Sequence, residues 1–214
     1  MNNQVEEKLQ TLIGRYPQLE ACRIDIISAY ESLEASYEKG RKLLIGGNGG
    51  SAADAEHIVG ELMKGFVKPR QLSLSEQGAL RKIDDGMGEV LSNNLQSALP
   101  AIAITGHEAL STAYLNDVDA ACGFAQQVYG YGMEGDVFLG ISTSGNSKNI
   151  LYAAVAAKAK GLSVIGLTGR KGGNLKDIAD ICICVPEDET YKIQELHLPV
   201  YHALCLMLEE RFFG

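Results

Sequence analysis

Five short apolar runs, "KLLIGG", "PAIAIT", "VFLGIS", "SVIGLT" and "ICICVP", recur along the chain with helix-length segments between them. Each run is continuously hydrophobic rather than alternating. That suits strands covered on both faces, hence a parallel sheet wrapped in helices. The rhythm predicts an α/β fold: a doubly wound, five-stranded parallel sheet flanked by helices. The 214 residues suffice for one medium domain with a sizeable core. Two helical patterns precede the first strand. One runs through Val5, Leu9, Leu12 and Ile13 and ends at Pro17; the other carries Ile24, Ile27, Tyr30, Leu33 and Tyr37 and stops near Gly40. The chain thus divides into an N-terminal helical segment, 1–40, and an α/β domain, 41–214. The leading helices hold more apolar surface than a solvated leader needs, so they are expected to pack on the domain and on a neighbouring subunit. Residues 67–99 break the rhythm with charge, Pro69 and several glycines. They read as an inserted loop with some helix near Gly88 to Asn94.

The formal net charge of −8 argues against nucleic-acid binding, which needs a basic surface. A small anionic metabolite stays open, because backbone amides and hydroxyls can hold phosphate in an acidic protein. The five cysteines are odd in number and sit in apolar surroundings, which speaks against a disulfide framework. Cys182 and Cys184 fall on one face of a strand and read as core thiols. No run reaches membrane-spanning length and the N-terminus carries no secretory pattern, so the expectation is a cytoplasmic protein without membrane contact.

Ligands of open α/β sheets bind beyond the carboxyl ends of the strands. "GGNGGS" follows the first strand, "ISTSGNSKN" the third and "LTGRKGGN" the fourth. In the second of these, Ser142, Thr143, Ser144 and Ser147 surround Gly145 at the start of a helix. Four hydroxyls at a helix N-terminus exceed the needs of capping and suit a phosphate. "GGNGGSA" comes close to a dinucleotide fingerprint, but no acidic residue ends a strand about 20 residues later, and no phosphate-loop lysine follows. His57 and Glu61 lie at i and i+4 on the helix that Ser51 opens, and therefore share a face. Gln194, Glu195, His197 and His202 interrupt an otherwise apolar last helix. Histidine and carboxylate together suit a proton relay, or with Gln194 a metal site.

"GGNGGSAADAEHIVGEL", "GISTSGNSKNIL", "LTGRKGG" and "YKIQELHLPVYH" resemble the sugar isomerase (SIS) fold and, within it, the phosphoheptose isomerases. The likeness runs from about Arg41 to the C-terminus, apart from residues 67–99. It implies an aldose–ketose isomerase that interconverts sedoheptulose 7-phosphate and glycero-manno-heptose 7-phosphate through an enediol, for surface polysaccharide. By resemblance, Ser142, Thr143, Ser144 and Ser147 hold the phosphate, while Asn48, Gly49, Gly50, Ser51, Asn116, Asp117, Glu61 and Gln194 contact the sugar. Glu61 and His202 match the acid/base pair. His57, Glu61, Gln194 and His202 match the residues through which some members bind one Zn2+ per subunit. The family is homotetrameric, which implies a site shared between subunits. The competing readings are a non-catalytic SIS protein that binds or senses phosphosugars, and an isomerase of another phosphosugar. Relatives of the first kind lack the residues matched by Glu61 and His202. In a straight last helix Glu195 shares the face of His202 better than Gln194 does, so the assignment of Gln194 rests on the resemblance alone.

Overall fold

The strands of the sheet lie in the order β2-β1-β3-β4-β5, all parallel. The computed structural model describes residues 2–214. It starts with α1 (Asn3–Arg15), a 3-10 segment (Pro17–Cys22) and α2 (Arg23–Glu38). β1 (Leu43–Gly46), α3 (Gly50–Met63), α4 (Leu74–Ile83), α5 (Asp85–Asn94), β2 (Ala101–Ala103), α6 (Glu108–Asp117) and α7 (Gly123–Tyr131) follow. The rest comprises β3 (Val137–Ile141), α8 (Lys148–Ala159), β4 (Ser163–Thr168), α9 (Gly173–Ile178), β5 (Ile181–Cys184) and α10 (Thr190–Phe213). All five expected strands are present. No helix among the described residues is long and apolar enough to cross a membrane.

Alternate strand residues feed two cores, as pleating requires. Leu43, Ile45, Val137, Leu139, Ile141, Ile165, Leu167 and Ile183 pack under α1, α2, α3 and α10. Leu44, Phe138 and Val164 pack on the opposite face with α7, α8 and α9. The central strands of this order reverse direction of growth between β1 and β3, and the crevice outside their carboxyl ends is where such folds bind ligands. A row of glycines, Gly46, Gly140 and Gly166, crosses β1, β3 and β4 in register. A Cβ at Gly140 would lie 2.9 Å from Ile150 of α8, so the row lets that helix settle close on the sheet.

Three expectations change in detail. The stripe of α2 is Ile26, Ala29, Tyr30, Leu33 and Tyr37, and Ile24 is 78% exposed. Ile24 sits in the first turn, two residues ahead of Ile26, which points it away from the core. Residues 67–99 form a helical hairpin of α4 and α5 rather than a loop with one helix. Ser73 and Glu76 make a reciprocal capping box, Asp84 caps α5 through Met87 N, and Gly88 lets α5 meet Arg81 backbone closely. Cys182 and Cys184 are half-exposed rather than core, because β5 is an edge strand, and their sulfurs lie 3.7 Å apart. All five cysteines are free.

Candidate active site

The two strand-end loops expected at the site are neighbours. Asn48 and Asn149 exchange carboxamide hydrogen bonds in both directions, at 3.0 and 2.8 Å, tying the glycine turn after β1 to the first turn of α8. The side chain of Asn48, expected at the sugar, is therefore engaged in bridging the loops. Asn149 was not singled out in the sequence. A local hydrogen-bonding residue inside a helix start carries no mark of its long-range partner.

The serine loop is shaped by backbone. Gly145 adopts φ +64°, and a Cβ there would collide with the carbonyl of Gly172. Leu175 N donates to Gly145 O, and Asn174 N donates to the side chain of Asn146, so α9 holds the loop from behind. Ser147 is the N-cap of α8 but makes no capping bond. Its hydroxyl instead stands 2.9 Å from that of buried Ser142. Ser144 Oγ accepts from Asn146 N, forming a tight turn with the hydroxyl on the exposed side. Asn116 and Asp117 end α6 and bond each other at 2.7 Å. Neither bonds the loops, yet Asp119, two residues on, pairs with Lys148 at the start of α8. The end of α6 thus flanks the serine loop.

A second polar group gathers between α3 and α10. His57 Nε2 lies 3.0 Å from Glu61 Oε1 and 3.4 Å from His202 Nε2. The i, i+4 spacing on α3 supplies the first contact, and α10 brings the second from 145 residues away. Tyr201 joins them: its hydroxyl donates to Asp54 Oδ1 and meets His57 Nδ1, both at 3.1 Å. The rings of His57, Tyr201, His202 and Phe66 stack edge to face or tilted, with centroids 5.0–5.5 Å apart. Burial holds the imidazole of His202 below its ordinary pKa; His57 pushes the same way and Glu61 opposes. Glu61 Oε2 is buried and has no hydrogen-bond partner. A carboxylate oxygen left so costs on the order of 1–3 kcal/mol or more, and marks a place for a ligand to bind.

This cluster is clamped by residues that carried no signal in the sequence. Arg70 is buried and donates to Glu209, to Leu62 O and to Glu61 O. Its guanidinium also lies 4.5 Å from the ring centroid of Phe213. Glu209 in turn accepts from the backbone amides of Phe66, Val67 and Lys68. Burial pushes the Glu209 carboxyl up, but those amides and Arg70 outweigh it and hold the group below the usual carboxylate range. The pair welds the C-terminal end of α3 to α10. Nothing in "VKPRQ" distinguishes such an arginine from a surface one.

The two groups are not in contact within one chain. Gly50 and Glu61 stand at opposite ends of α3, about 16 Å of helix apart. Gln194, expected beside His202, lies against Gly50, where a Cβ would sit 2.8 Å from its Nε2. Eight residues of α10 separate Gln194 from His202, about 12 Å of helix. α10 runs unbroken through Pro199 and provides no fold to bring them together. Glu195 is exposed. His197 is wholly buried with neither ring nitrogen hydrogen-bonded, and burial drives its pKa down to about 4. It is a neutral core imidazole, not part of the polar set.

Among the described residues, no group of three or more His, Cys, Asp and Glu side chains is assembled to hold a metal. The donors themselves suit zinc. Imidazole nitrogen and carboxylate oxygen are ligand types that zinc takes, and Glu61 has an oxygen to spare.

Residues 88–169, spanning α5 to the end of β4 and including the serine loop, match the SIS domain family. The chain is 36% identical to the phosphoheptose isomerase of Aneurinibacillus thermoaerophilus, over all of this chain and 96% of that one. It is 40% identical to phosphoheptose isomerase 2 of Campylobacter jejuni, over 98% of this chain and 85% of that one. The chain belongs to the phosphoheptose isomerase family. The solved phosphoheptose isomerase of Neisseria gonorrhoeae superposes with a TM-score of 0.71 at 32% identity, covering 94% of each chain. In this chain, then, one set of expected residues surrounds the serine loop and the other surrounds His57.

Proposed function

We propose that this protein is an aldose–ketose isomerase that interconverts sedoheptulose 7-phosphate and glycero-manno-heptose 7-phosphate through an enediol, for heptose biosynthesis. Membership of the phosphoheptose isomerase family supports the reaction. The observation that carries the assignment of residues is Glu61. One of its oxygens lies 3.0 Å from His57 Nε2, the other is buried and unpaired, and His202 approaches the same Nε2 to 3.4 Å.

The phosphate is held by the hydroxyls of Ser142, Thr143, Ser144 and Ser147 and by the amides that open α8. Asn48, Gly49, Gly50, Ser51, Asn116 and Asp117 line the path of the sugar. Glu61 removes the proton on C1 of the ketose and returns it to C2. His202, whose pKa burial lowers, accepts and returns the hydroxyl proton between O1 and O2. His57, Glu61, His202 and Gln194 would hold a Zn2+ ion, which when bound polarises the carbonyl and steadies the enediolate oxygens.

The reading includes a homotetramer, because no single chain unites its two half-sites. α3 separates them by its own length, and Gln194 sits with the wrong half. A second copy that presents its serine loop and Gln194 to the His57 cluster would complete a site. An apolar groove between α1 and α10, lined by Leu12, Tyr16, Leu198 and Pro199, opens beside His202 where such a copy would approach. The reading also includes a cytoplasmic location.

Purified protein incubated with sedoheptulose 7-phosphate and a panel of shorter ketose phosphates tests the function. Aldose formation from the heptulose, with weaker or no turnover of the others, is the expected result. Turnover of another ketose phosphate in preference would replace the substrate, and phosphosugar binding without any turnover would favour a sensor of the same fold.

A further inference from the structure

The hydroxyl of Tyr201 connects α10 to α3 through two contacts of equal length, one to Asp54 Oδ1 and one to His57 Nδ1. Tyr201 is 1% exposed, while Asp54 is half-buried and His57 is exposed. A phenol has one proton to give and lone pairs to accept with, whereas an ionised carboxylate only accepts. The proton of Tyr201 is therefore committed to Asp54, and the contact with His57 is filled only if Nδ1 carries a hydrogen. The assignment of the tautomer follows from this network.

We propose that Tyr201 and Asp54 are a positioning pair that fixes the proton of His57 on Nδ1 and aims the Nε2 lone pair at Glu61 and His202. This rests on the reading of His57 as part of the site.

The pair opposes what His57 would do alone. Glu61 Oε1 lies 3.0 Å from Nε2, and a neutral imidazole left free would turn its hydrogen to that carboxylate. Such a bond would occupy the base and remove the lone pair that a metal or a proton needs. With the hydrogen held on Nδ1, Nε2 faces Glu61 and His202 as an acceptor, open to a shared proton or a cation. Imidazole ligands of metals are anchored in this way through the opposite nitrogen. Asp54 and His57 are one turn apart on α3, and Tyr201 directly precedes His202 on α10, so one hydroxyl also sets the two rings against each other.

The test is the nitrogen spectrum of His57 in the metal-free, substrate-free full chain, labelled with 15N-histidine at a pH where the ring is neutral. The His57→Gln spectrum identifies the signals. The wild type should show a hydrogen-bearing Nδ1 and a bare Nε2. Tyr201→Phe should move the hydrogen to Nε2. Asp54→Ala should do the same with the phenol still present, since without an acceptor at position 54 the phenol proton turns toward His57 Nδ1. A packing role predicts no such reversal in Asp54→Ala. In a zinc titration of the same proteins, both variants should bind about 10- to 100-fold more weakly. Wild-type protein with its hydrogen on Nε2, or a tautomer unchanged in both variants, would overturn the proposal. The spectrum is read without substrate, so its result stands apart from any failure to isomerise a heptulose.

Discussion

The two ends of α3 carry two kinds of site. At its start, the glycine turn and the serine loop are made from contiguous stretches, and their shape is set by backbone: Gly145 in a conformation closed to other residues, α9 bonded behind the loop, and the Asn48–Asn149 bridge. At its other end, Glu61 and His57 gain their meaning only from residues about 140 positions away. In the proposed function the first seats the phosphate of a sugar phosphate and the second carries the proton transfer. Binding of the phosphosugar should therefore survive damage to the second end while turnover fails, and damage to the first should weaken binding with turnover at saturation largely kept.

The sharpest break is Glu61→Gln. It keeps the shape and one oxygen but removes the base, and should lower kcat by about a thousandfold with KM nearly unchanged. A KM that rises in parallel would move Glu61 to the binding side of the comparison. Next comes Arg70→Ala, which leaves Glu209 buried without its cation. Thermal or urea unfolding should register a loss of about 3–5 kcal/mol. Because the folded Glu209 carboxyl lies below its unfolded range, its contribution is present above the ordinary glutamate pKa and is lost as pH falls through the folded value. Glu209→Gln should accordingly flatten the acid side of the stability curve. An Arg70→Ala protein of wild-type stability would deny the clamp.

Ser144→Ala and Ser147→Ala test the other end. Each removes one donor to a charged phosphate, and KM should rise about tenfold or more per substitution with kcat largely kept. Inorganic phosphate should compete less well by the same factor. The smallest effect expected is also the one that joins the two ends. Below the KM of the Ser144→Ala, Ser147→Ala double variant, that protein mixed and reassembled with Glu61→Gln should exceed the summed rates of the two alone, if one copy's loop serves another's base. Rate data equal to the sum of the two parents would confine the site to a single chain.

The legibility of these parts in the sequence follows the same division. Five unbroken apolar runs prescribed the parallel sheet, and the serines at the end of one of them marked the loop proposed to seat the phosphate, because both signals are local. The stripe of α2 was nearly legible as well, with Ile24 misplaced only because the start of the helix was not fixed. The spacing of His57 and Glu61 showed a shared face, but not the carboxylate and phenol behind it: Asp54 and Tyr201 become partners only when α10 lies along α3. Arg70 lies in the inserted stretch with no role assigned from the sequence, and His197 reads as one more site histidine. Both are buried, Arg70 paired with Glu209 and His197 without a partner, and burial is a property of the packed chain. Gln194 has Gly50 rather than His202 as its neighbour within the chain, a separation set by the length of α10 and not shown by any local signal.

The most direct test of the enediol route through Glu61 is conversion of sedoheptulose 7-phosphate in D2O, followed by a position-resolved measurement of deuterium in the aldose. A carboxylate that carries the proton from C1 to C2 exchanges with solvent, so deuterium should appear at C2 with the wild type and at background level with Glu61→Gln. Aldose formed with every substrate hydrogen retained, as a direct hydride shift would leave it, or deuterium incorporated at the wild-type rate by Glu61→Gln, would contradict it.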